Sequence, residues 1–470
     1  MNQELWTTGT SVSLMEILDA RENRVKIQQE MLKETPLSLL SFTLNIPGPV
    51  KVFPYTKWLY NIGVSIIRDV ISLLNGKVLE HRQTKAATGW EGFFSLNLPP
   101  EVIKVYLLNQ EEIHPLGRLF DFDVLRSDGS KLSRQELGFP ERTCLLCGNP
   151  AFLCGRSRTH SATELLAREI EMMENFFALR FSNHIGLLMQ KALFYEVNTS
   201  LKPGLVDRLH NGSHKDMNLS TFIDSAYALT DFFCQCVKAG LSFDQPQNNL
   251  PLLFHQLRSM GKQAEKTMLR ATKEVNTHKG IIFSGGILCG AIGYLKSNRG
   301  TDFSSDESLP LLSKICSCML PELLDDYRQL TPATAKTNGE KLYIKHGITG
   351  IRGEAKEGFP HLFATGFSLF KEALQEGFSI WETGLLTLLY YIAHTEDTNL
   401  IIRSDYAFAC KIQRELKEFL AHSTYQEQLS ILPELDAFFV SENMSPGGSA
   451  DMLALTYFLY FVQNIPCNFI

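Results

Sequence analysis

Basic residues do not outnumber acidic ones in this chain of 470 residues: 45 Lys and Arg stand against 51 Asp and Glu, a net charge of −6. A protein that blankets a nucleic-acid backbone needs a concentrated basic surface, so nucleic acid is not an expected partner, and any phosphate-bearing ligand should be small and locally held. A long apolar run is missing too. The longest, Gly280 to Leu295, carries five glycines and falls short of the roughly 20 residues of a bilayer span; a buried helix is expected, and no membrane association. The start, MNQELWTTGT, lacks the basic stretch and apolar run of an export signal, which makes the cytoplasm the expected location. No repeat, low-complexity tract or flexible linker stands out. Ten cysteines without an export signal point to reduced thiols rather than a disulfide framework. Cys234, Cys236, Cys289, Cys316, Cys318, Cys410 and Cys467 sit in apolar, mostly helical contexts and are expected to be small buried hydrophobes. Only Cys144, Cys147 and Cys154 cluster.

What is present suffices for a large core: 44% of residues are hydrophobic and 20% charged. One core organises at most about 250 to 300 residues, so two domains are expected, at 1–180 and 181–470. The first mixes signals. Val12 to Glu34 and Tyr55 to Leu74 read as helices, while Leu37 to Ile46, Phe93 to Leu98, Val102 to Leu108 and Leu119 to Leu125 read as strands. Asp128-Gly129 predicts a hairpin turn with both residues at positive φ. From about Ala162 onward the apolar spacing is helical throughout, with loops at 202–218, 275–280, 327–360 and 441–448. The fold class is therefore an α+β N-terminal domain followed by a larger all-α domain, joined near residue 180 by helix.

Two constellations carry chemistry in the first domain. In HPLGRLFDFDV, strand alternation puts Asp121 and Asp123 on one face and Phe122 on the other. Such a carboxylate pair can hold Mg²⁺, which can grip a diphosphate or triphosphate; two solvated acids on a strand edge are the plain alternative. The segment RTCLLCGNPAFLCGRSRTH carries a CxxC, a third cysteine and His160, a pattern that resembles a zinc ligand set but lacks a second CxxC. If the segment is extended, Arg156, Arg158 and His160 share a face suited to phosphate oxygens; a solvated basic stretch is equally open.

LNIPGPVK, HPLGRLFDFDV and the cysteine-rich run ending in RSRTH together resemble the citrate lyase holo-acyl-carrier-protein synthase family. The resemblance implies transfer of phosphoribosyl-dephospho-CoA from its triphosphate precursor to a serine of the apo citrate lyase acyl carrier (gamma) subunit, with release of diphosphate. It places Arg118, Asp121 and Asp123 around a metal-bound polyphosphate. The D-x-D is also similar to the metal pair of nucleotidyltransferases.

In the second domain, EVNTSLKPGLVDRLHNGSHKDMN brings Lys202, Asp207, His210, His214 and Asp216 into one glycine-punctuated loop. EVNTHKG presents Asn276, His278 and Lys279 before a helix whose N-terminus favours anions. The remaining glycines of that helix read as packing residues. GITGIRGEAKEGFP supplies Arg352 and Glu354 on a loop long enough for a lid. AHTEDTNLIIR places Glu396, Asp397 and Asn399 after an apolar helix, oxygen ligands for a hard cation. ENMSPGGSADMLA sets Ser445, Gly447, Gly448 and Ser449 at the entrance of the last helix with amides facing a ligand, and Asp451 in its first turn.

KPGLVD, GSHKDM, NTHKG, EDTN and SPGGSAD, in that order, resemble the triphosphoribosyl-dephospho-CoA synthase family, in which Ser200-Leu201 here stands where a Thr-Pro pair is expected. The family reaction joins ATP to 3'-dephospho-CoA: the ribose 2'-hydroxyl attacks C1' of ATP and adenine leaves. On this reading Mg²⁺ held among Asp207, Asp216, Glu396 and Asp397 anchors the triphosphate with Lys202, Lys279 and the SPGGS amides, and His214 or Asp216 takes the acceptor proton. Two other readings stay open. The first domain could be a zinc-stabilised module that only docks the carrier, or the second an all-α nucleotide hydrolase.

Overall fold

The computed structural model describes residues 4–34, 37–335 and 337–465. It divides into two compact units, one reaching to Ala178 and the other running from Leu179. The division falls inside one long helix, Ala162–Asn198.

The first unit is built on a four-stranded antiparallel sheet in the order β2-β3-β1-β4, with β1 Ser38–Leu44, β2 Val78–Ala86, β3 Gly89–Leu96 and β4 Phe120–Arg126. β1 pairs with β4 so that Phe42 opposes Phe122 and Thr43 opposes Asp121. On the buried face Phe42 stacks on Phe122 with ring centroids 5.1 Å apart. The opposite face carries Asp121 and Asp123, the alternation a pleated strand requires.

Three sequence expectations change in this unit. Val102 to Leu108 is not a strand but the middle of a helix, Pro100–Ile113, opened by a proline in its first turn. Ile103, Leu107 and Leu108 are buried, and their spacing of four and one is helical. That helix covers the outer edge of β4. Lys104 Nζ donates to the Phe122 carbonyl at 2.5 Å, and the Phe122 amide donates to Glu111 Oε1 at 3.4 Å. The exposed rim of an edge strand is thereby closed to pairing by another chain. Second, β2 went unread because its VLEHRQTKA sequence is largely solvent-facing and shows no apolar alternation. Third, of Asp128-Gly129 only Gly129 has positive φ, at 82°; the turn is closed by Gly129 N to Arg126 O and Arg126 N to Ser130 O, each 2.9 Å, rather than by a two-residue hairpin.

The second unit is helical. Leu219–Leu241 and Lys279–Arg299 pack so closely that a Cβ on Gly240 would fall 2.1 Å from the Gly290 carbonyl oxygen, and one on Gly293 2.1 Å from that of Val237. Glycine alone permits this approach. Lys279–Arg299 is long and apolar enough to cross a membrane by composition, yet 83% of its apolar window is buried inside the unit. Ile380–His394 opens with a capping box, Ser379 to Glu382, and crosses Gly447–Gln463, where Tyr391 and Thr456 hydroxyls meet at 2.7 Å. The stretch 327–360, expected as loop, contains the helices Asn338–His346 and Ile351–Lys356. The Ser200-Leu201 peptide is cis. Cys236, Cys289 and Cys316 are buried, whereas Cys234 and Cys318 are half-buried and Cys410 is exposed on its helix; Cys467 lies outside the described residues.

Candidate functional site

In the second unit, Lys202, His214, Asn276, His278, Lys279, Glu396, Ser445, Gly447 and Gly448 line one cavity of about 550 Å³. Four segments far apart in sequence thus contribute to one space. Its electrostatics are set by buried groups. Lys202 is 1% exposed and its ammonium pairs with Glu196, the compensation a buried charge requires. Burial pushes the Glu196 carboxyl up against the lowering pull of Lys202. Lys279 pairs with Glu265 at 2.5 Å.

His278 is the second buried group. Thr277 Oγ1 donates to Ser225 Oγ at 2.7 Å, and Ser225 Oγ lies 2.7 Å from His278 Nδ1. A neutral ring accepting at Nδ1 carries its proton on Nε2, and Nε2 is buried without a hydrogen-bond partner among the described residues. Burial, then the Lys202 charge, hold the ring neutral with a pKa of about 3.

Other expected residues are placed differently. Arg403 donates to His214 Nδ1 at 3.1 Å, and His214 Nε2 lies 2.8 Å from Ser445 Oγ. Burial and the Arg403 guanidinium lower the His214 pKa to about 4. With both nitrogens engaged, His214 clips two loops together. Asp216 Oδ1 is 3.9 Å from His214 Nδ1, its side chain 65% exposed, and it does not line the cavity. Asp207 spends its oxygens inside its own turn, on the amides of Lys202 at 3.1 Å, Leu209 at 2.7 Å and His210 at 3.2 Å.

Asp397 caps the Thr398–Arg403 helix through the Asn399 and Leu400 amides, at 3.0 and 3.1 Å, and its other oxygen takes the Ser449 amide at 2.8 Å. The SPGGS amides are therefore not all turned to a ligand, because part of that helix entrance already holds a protein carboxylate. Asp207, Asp216, Glu396 and Asp397 are not brought together as a metal set. Glu396 Oε2 accepts from the Thr349 and Gly350 amides, at 2.9 and 3.1 Å; Glu396 is exposed and faces both this cavity and an adjoining one of about 330 Å³. Arg352 lies over the Tyr327 ring at 4.9 Å, and Glu354 is tied to His361 Nδ1 at 2.8 Å, so the expected lid residues sit on a packed helix.

Sequence reading passed over Glu196 and Arg403, and left Asp451 without a role. Asp451 lines the cavity, and burial, reinforced by Glu196 and Asp397, pushes its carboxyl well above the usual range. A Cβ on Gly280 would fall 1.9 Å from Asp451 Oδ2, so glycine at the helix start makes room for that carboxylate. The signal was present in the SPGGSAD segment, where Asp451 was placed in the first turn and only the amides were read as facing a ligand.

In the first unit, Asp121 opens on a cavity of about 180 Å³ shared with Arg21, Arg24 and Lys51. Burial and then Asp123 raise its pKa, while Asp123 pairs with Lys131 at 2.6 Å. Arg21 and Arg24 were not foreseen, although their spacing of three on one helix was a signal; Lys51 ends the LNIPGPVK segment. Arg118, Arg158 and His160 line a different cavity, of about 570 Å³, with Cys144, Cys154 and Glu169. Burial raises Glu169 to about 8. The segment after Cys147 is not extended: Ala151–Ser157 is a helix with Arg158 as its left-handed cap, φ 49°. Arg156 consequently turns onto the Phe152 ring, 5.7 Å away, and does not share a face with Arg158 and His160.

Comparison with known proteins matches residues 12–176 to the family described as CitX, apo-citrate lyase phosphoribosyl-dephospho-CoA transferase, and residues 182–468 to CitG, ATP:dephospho-CoA triphosphoribosyl transferase. The chain is 35% identical over 465 residues to "Protein CitXG" of Haemophilus influenzae, covering 97% of this chain and 98% of the relative. It is 35% identical over 466 residues to "Protein CitXG" of Leuconostoc mesenteroides subsp. cremoris, covering 96% and 97%. Against the 2-(5''-triphosphoribosyl)-3'-dephosphocoenzyme-A synthase of Haemophilus ducreyi it is 35% identical over 337 residues, 68% of this chain and all of that one. With both profiles matched in order and fused relatives spanning nearly its whole length, the chain belongs to the CitX–CitG fusion family of bifunctional transferases.

Proposed function

We propose that the second unit joins ATP to 3'-dephospho-CoA in the Lys202 cavity, and that the first transfers the product's phosphoribosyl-dephospho-CoA group to a serine of the apo citrate lyase acyl carrier (gamma) subunit, both in the cytoplasm. The observation that carries the reading of the second unit is the convergence of Lys202, Lys279, His278 and Asp451 on one cavity. Lys202 and Lys279 meet triphosphate charge. Asp451, a carboxylate held up by burial, takes the proton of the ribose 2'-hydroxyl as its oxygen bonds to C1' of ATP; the C1'–N bond breaks and its electrons leave with adenine. A hydrogen bond from His278 Nε2–H to a ring nitrogen of the departing base fits that open donor, and the proton taken by Asp451 ends on the adenine released. Glu396, which faces both cavities, suits Mg²⁺, since that ion is usually held by one or two carboxylates plus substrate phosphates. Bound there, the ion would neutralise phosphate charge.

In the first unit Asp121 and Asp123 share a strand face beside Arg21, Arg24 and Lys51. Paired carboxylates that repel each other suit a divalent cation, and the guanidinium groups suit a diphosphate. The carrier serine oxygen attacks the phosphorus bearing the diphosphate, a P–O bond forms, and diphosphate departs with the electrons of the broken P–O bond. Two assays test the whole. Incubating the chain with ATP, dephospho-CoA and the apo carrier should release adenine and add the phosphoribosyl-dephospho-CoA mass to the carrier. Release of ADP or phosphate instead of adenine would return the second unit to the hydrolase reading, and adenine without carrier labelling would leave the first as a docking module.

A further inference from the structure

Neither reaction uses the Cys144–His160 segment, and its geometry is that of a metal site. One ligand atom from each of Cys144, Cys147, Cys154 and His160 lies within 4.8 Å of the others, and Cys147 Sγ is 3.4 Å from Cys154 Sγ. A tetrahedron of ligands at the zinc–sulfur distance of about 2.3 Å has edges of about 3.8 Å. The four groups are therefore gathered at the spacing one ion needs, with movements of an ångström or less.

Each ligand is delivered by a distinct local device. The CxxC turn is closed by Gly148 N to Cys144 O at 3.4 Å and Cys144 N to Asn149 O at 2.5 Å, with Gly148 at φ 73° and a Thr143–Pro150 bridge beneath it. Cys154 comes from the Ala151–Ser157 helix. The left-handed Arg158 then reverses the chain, with Thr159 N donating to Cys154 O at 3.1 Å, and returns His160 to the thiols. Within this packing, His160 Nε2 is buried and has no hydrogen-bond partner among the described residues. A buried ring nitrogen left unpaired is destabilising, and an ion would satisfy it.

We propose that Cys144, Cys147, Cys154 and His160 bind one Zn²⁺ in a closed tetrahedral site. Three thiolates and an imidazole select zinc over magnesium or calcium, and four protein ligands leave no open position, so the ion is structural rather than catalytic. His160 is then a metal ligand and not a phosphate ligand. The ion forms part of the wall of the 570 Å³ cavity that holds Arg118 and Arg158. Arg118 Nη2 donates at 2.5 Å to the carbonyl of Thr143, the residue before the first cysteine, so the zinc-bound turn positions Arg118. The site deepens the reading of the first unit and leaves the second untouched.

The test uses the full chain, expressed with zinc in the medium and purified without chelators. Elemental analysis should find about one zinc per chain, and mercurial modification of the thiols should release it to a chromogenic chelator. Cobalt exchanged into the protein should show the visible bands of a tetrahedral thiolate site. Cys154→Ser and His160→Ala should lose the metal and those bands, while His160→Cys and the distant Cys410→Ser retain them. The metal-free variants should still release adenine at wild-type rate. A reduced wild-type chain that takes up neither zinc nor cobalt, a Cys154→Ser variant with full stoichiometry, or a Cys147–Cys154 disulfide in freshly isolated protein would each overturn the site, whatever the carrier assay shows.

Discussion

Asp397 and Ser449 are joined through both the amide and the hydroxyl of the serine, at 2.8 and 3.0 Å, on a single carboxylate oxygen. Because the other oxygen caps the helix that begins at Thr398, one buried anion serves two helix N-termini. Gly448 packs tightly beside it: a Cβ there would stand 3.2 Å from the carboxylate. The arrangement satisfies amides that would otherwise be orphaned, and it uses the anion-binding capacity of the last helix internally.

Removing that anion should therefore cost stability before chemistry. Asp397→Ala is expected to lose about 2 kcal/mol, two caps at about 1 kcal/mol each, and Ser449→Ala about 1 kcal/mol for its hydroxyl contact. Urea unfolding followed by far-UV ellipticity measures both. An unchanged midpoint in Asp397→Ala would show that the shared cap does not support the fold.

Asp451 should govern synthesis alone. Asp451→Asn is expected to slow adenine release by about 10²-fold or more, while carrier labelling from supplied precursor stays at the wild-type rate. Since burial holds this carboxyl up, the acid limb of the kcat/KM profile should lie above the ordinary carboxylate range and disappear in the variant. Gly280→Ala, whose Cβ would collide with Asp451 Oδ2, should reproduce the loss. Near-normal adenine release from a folded Asp451→Asn chain would remove Asp451 from the mechanism.

The buried His278 and the half-buried His214 make the second unit acid-sensitive. In an unfolded chain each takes up its proton near pH 6.5, but in the folded unit only near 4 for His214 and near 3 for His278. Between those values the unfolded state binds more protons, so stability rises with pH. Their contribution is complete above about pH 6.5 and is lost as pH falls toward 4. Calorimetry from pH 7.5 to 4.5 should show a Tm that declines less steeply in His214→Gln than in wild type. Equal slopes would contradict a depressed His214.

The two activities should separate by mutation. Asp121→Ala and Asp123→Ala are each expected to abolish labelling of the apo carrier and to leave adenine release intact, read by mass analysis of the carrier and chromatography of adenine in one reaction. Loss of both activities in a stable variant would argue against independent sites.

Local pattern was legible where one residue type has one physical use. Phe122 between Asp121 and Asp123 alternates as a strand does, the Ser379-x-x-Glu382 spacing starts a helix, and the glycines within Lys279–Arg299 pack it against its neighbour. The motifs KPGLVD, NTHKG and EDTN were visible as chemistry-bearing loops, and Lys202, His278 and Glu396 do share a cavity. Reading failed where a residue's partner lies far along the chain. Val102 to Leu108 looked like a strand because its burial against the sheet thickened a helical apolar stripe. Asp397 looked like a metal ligand because Ser449, 52 positions away, cannot be paired with it by spacing.

Apolar periodicity and turn residues were enough by themselves to determine the class of each half, and the ordered motifs carried the resemblance to a family for each. These are local or summed properties, and the chain carries them whether folded or not. The tertiary structure decided which acids are spent on backbone amides and which face open space, and it gathered Cys144, Cys147, Cys154 and His160 around one point. A carboxylate or thiol acquires its role from the donors, charges and solvent within a few ångströms, and only the folded chain determines those neighbours.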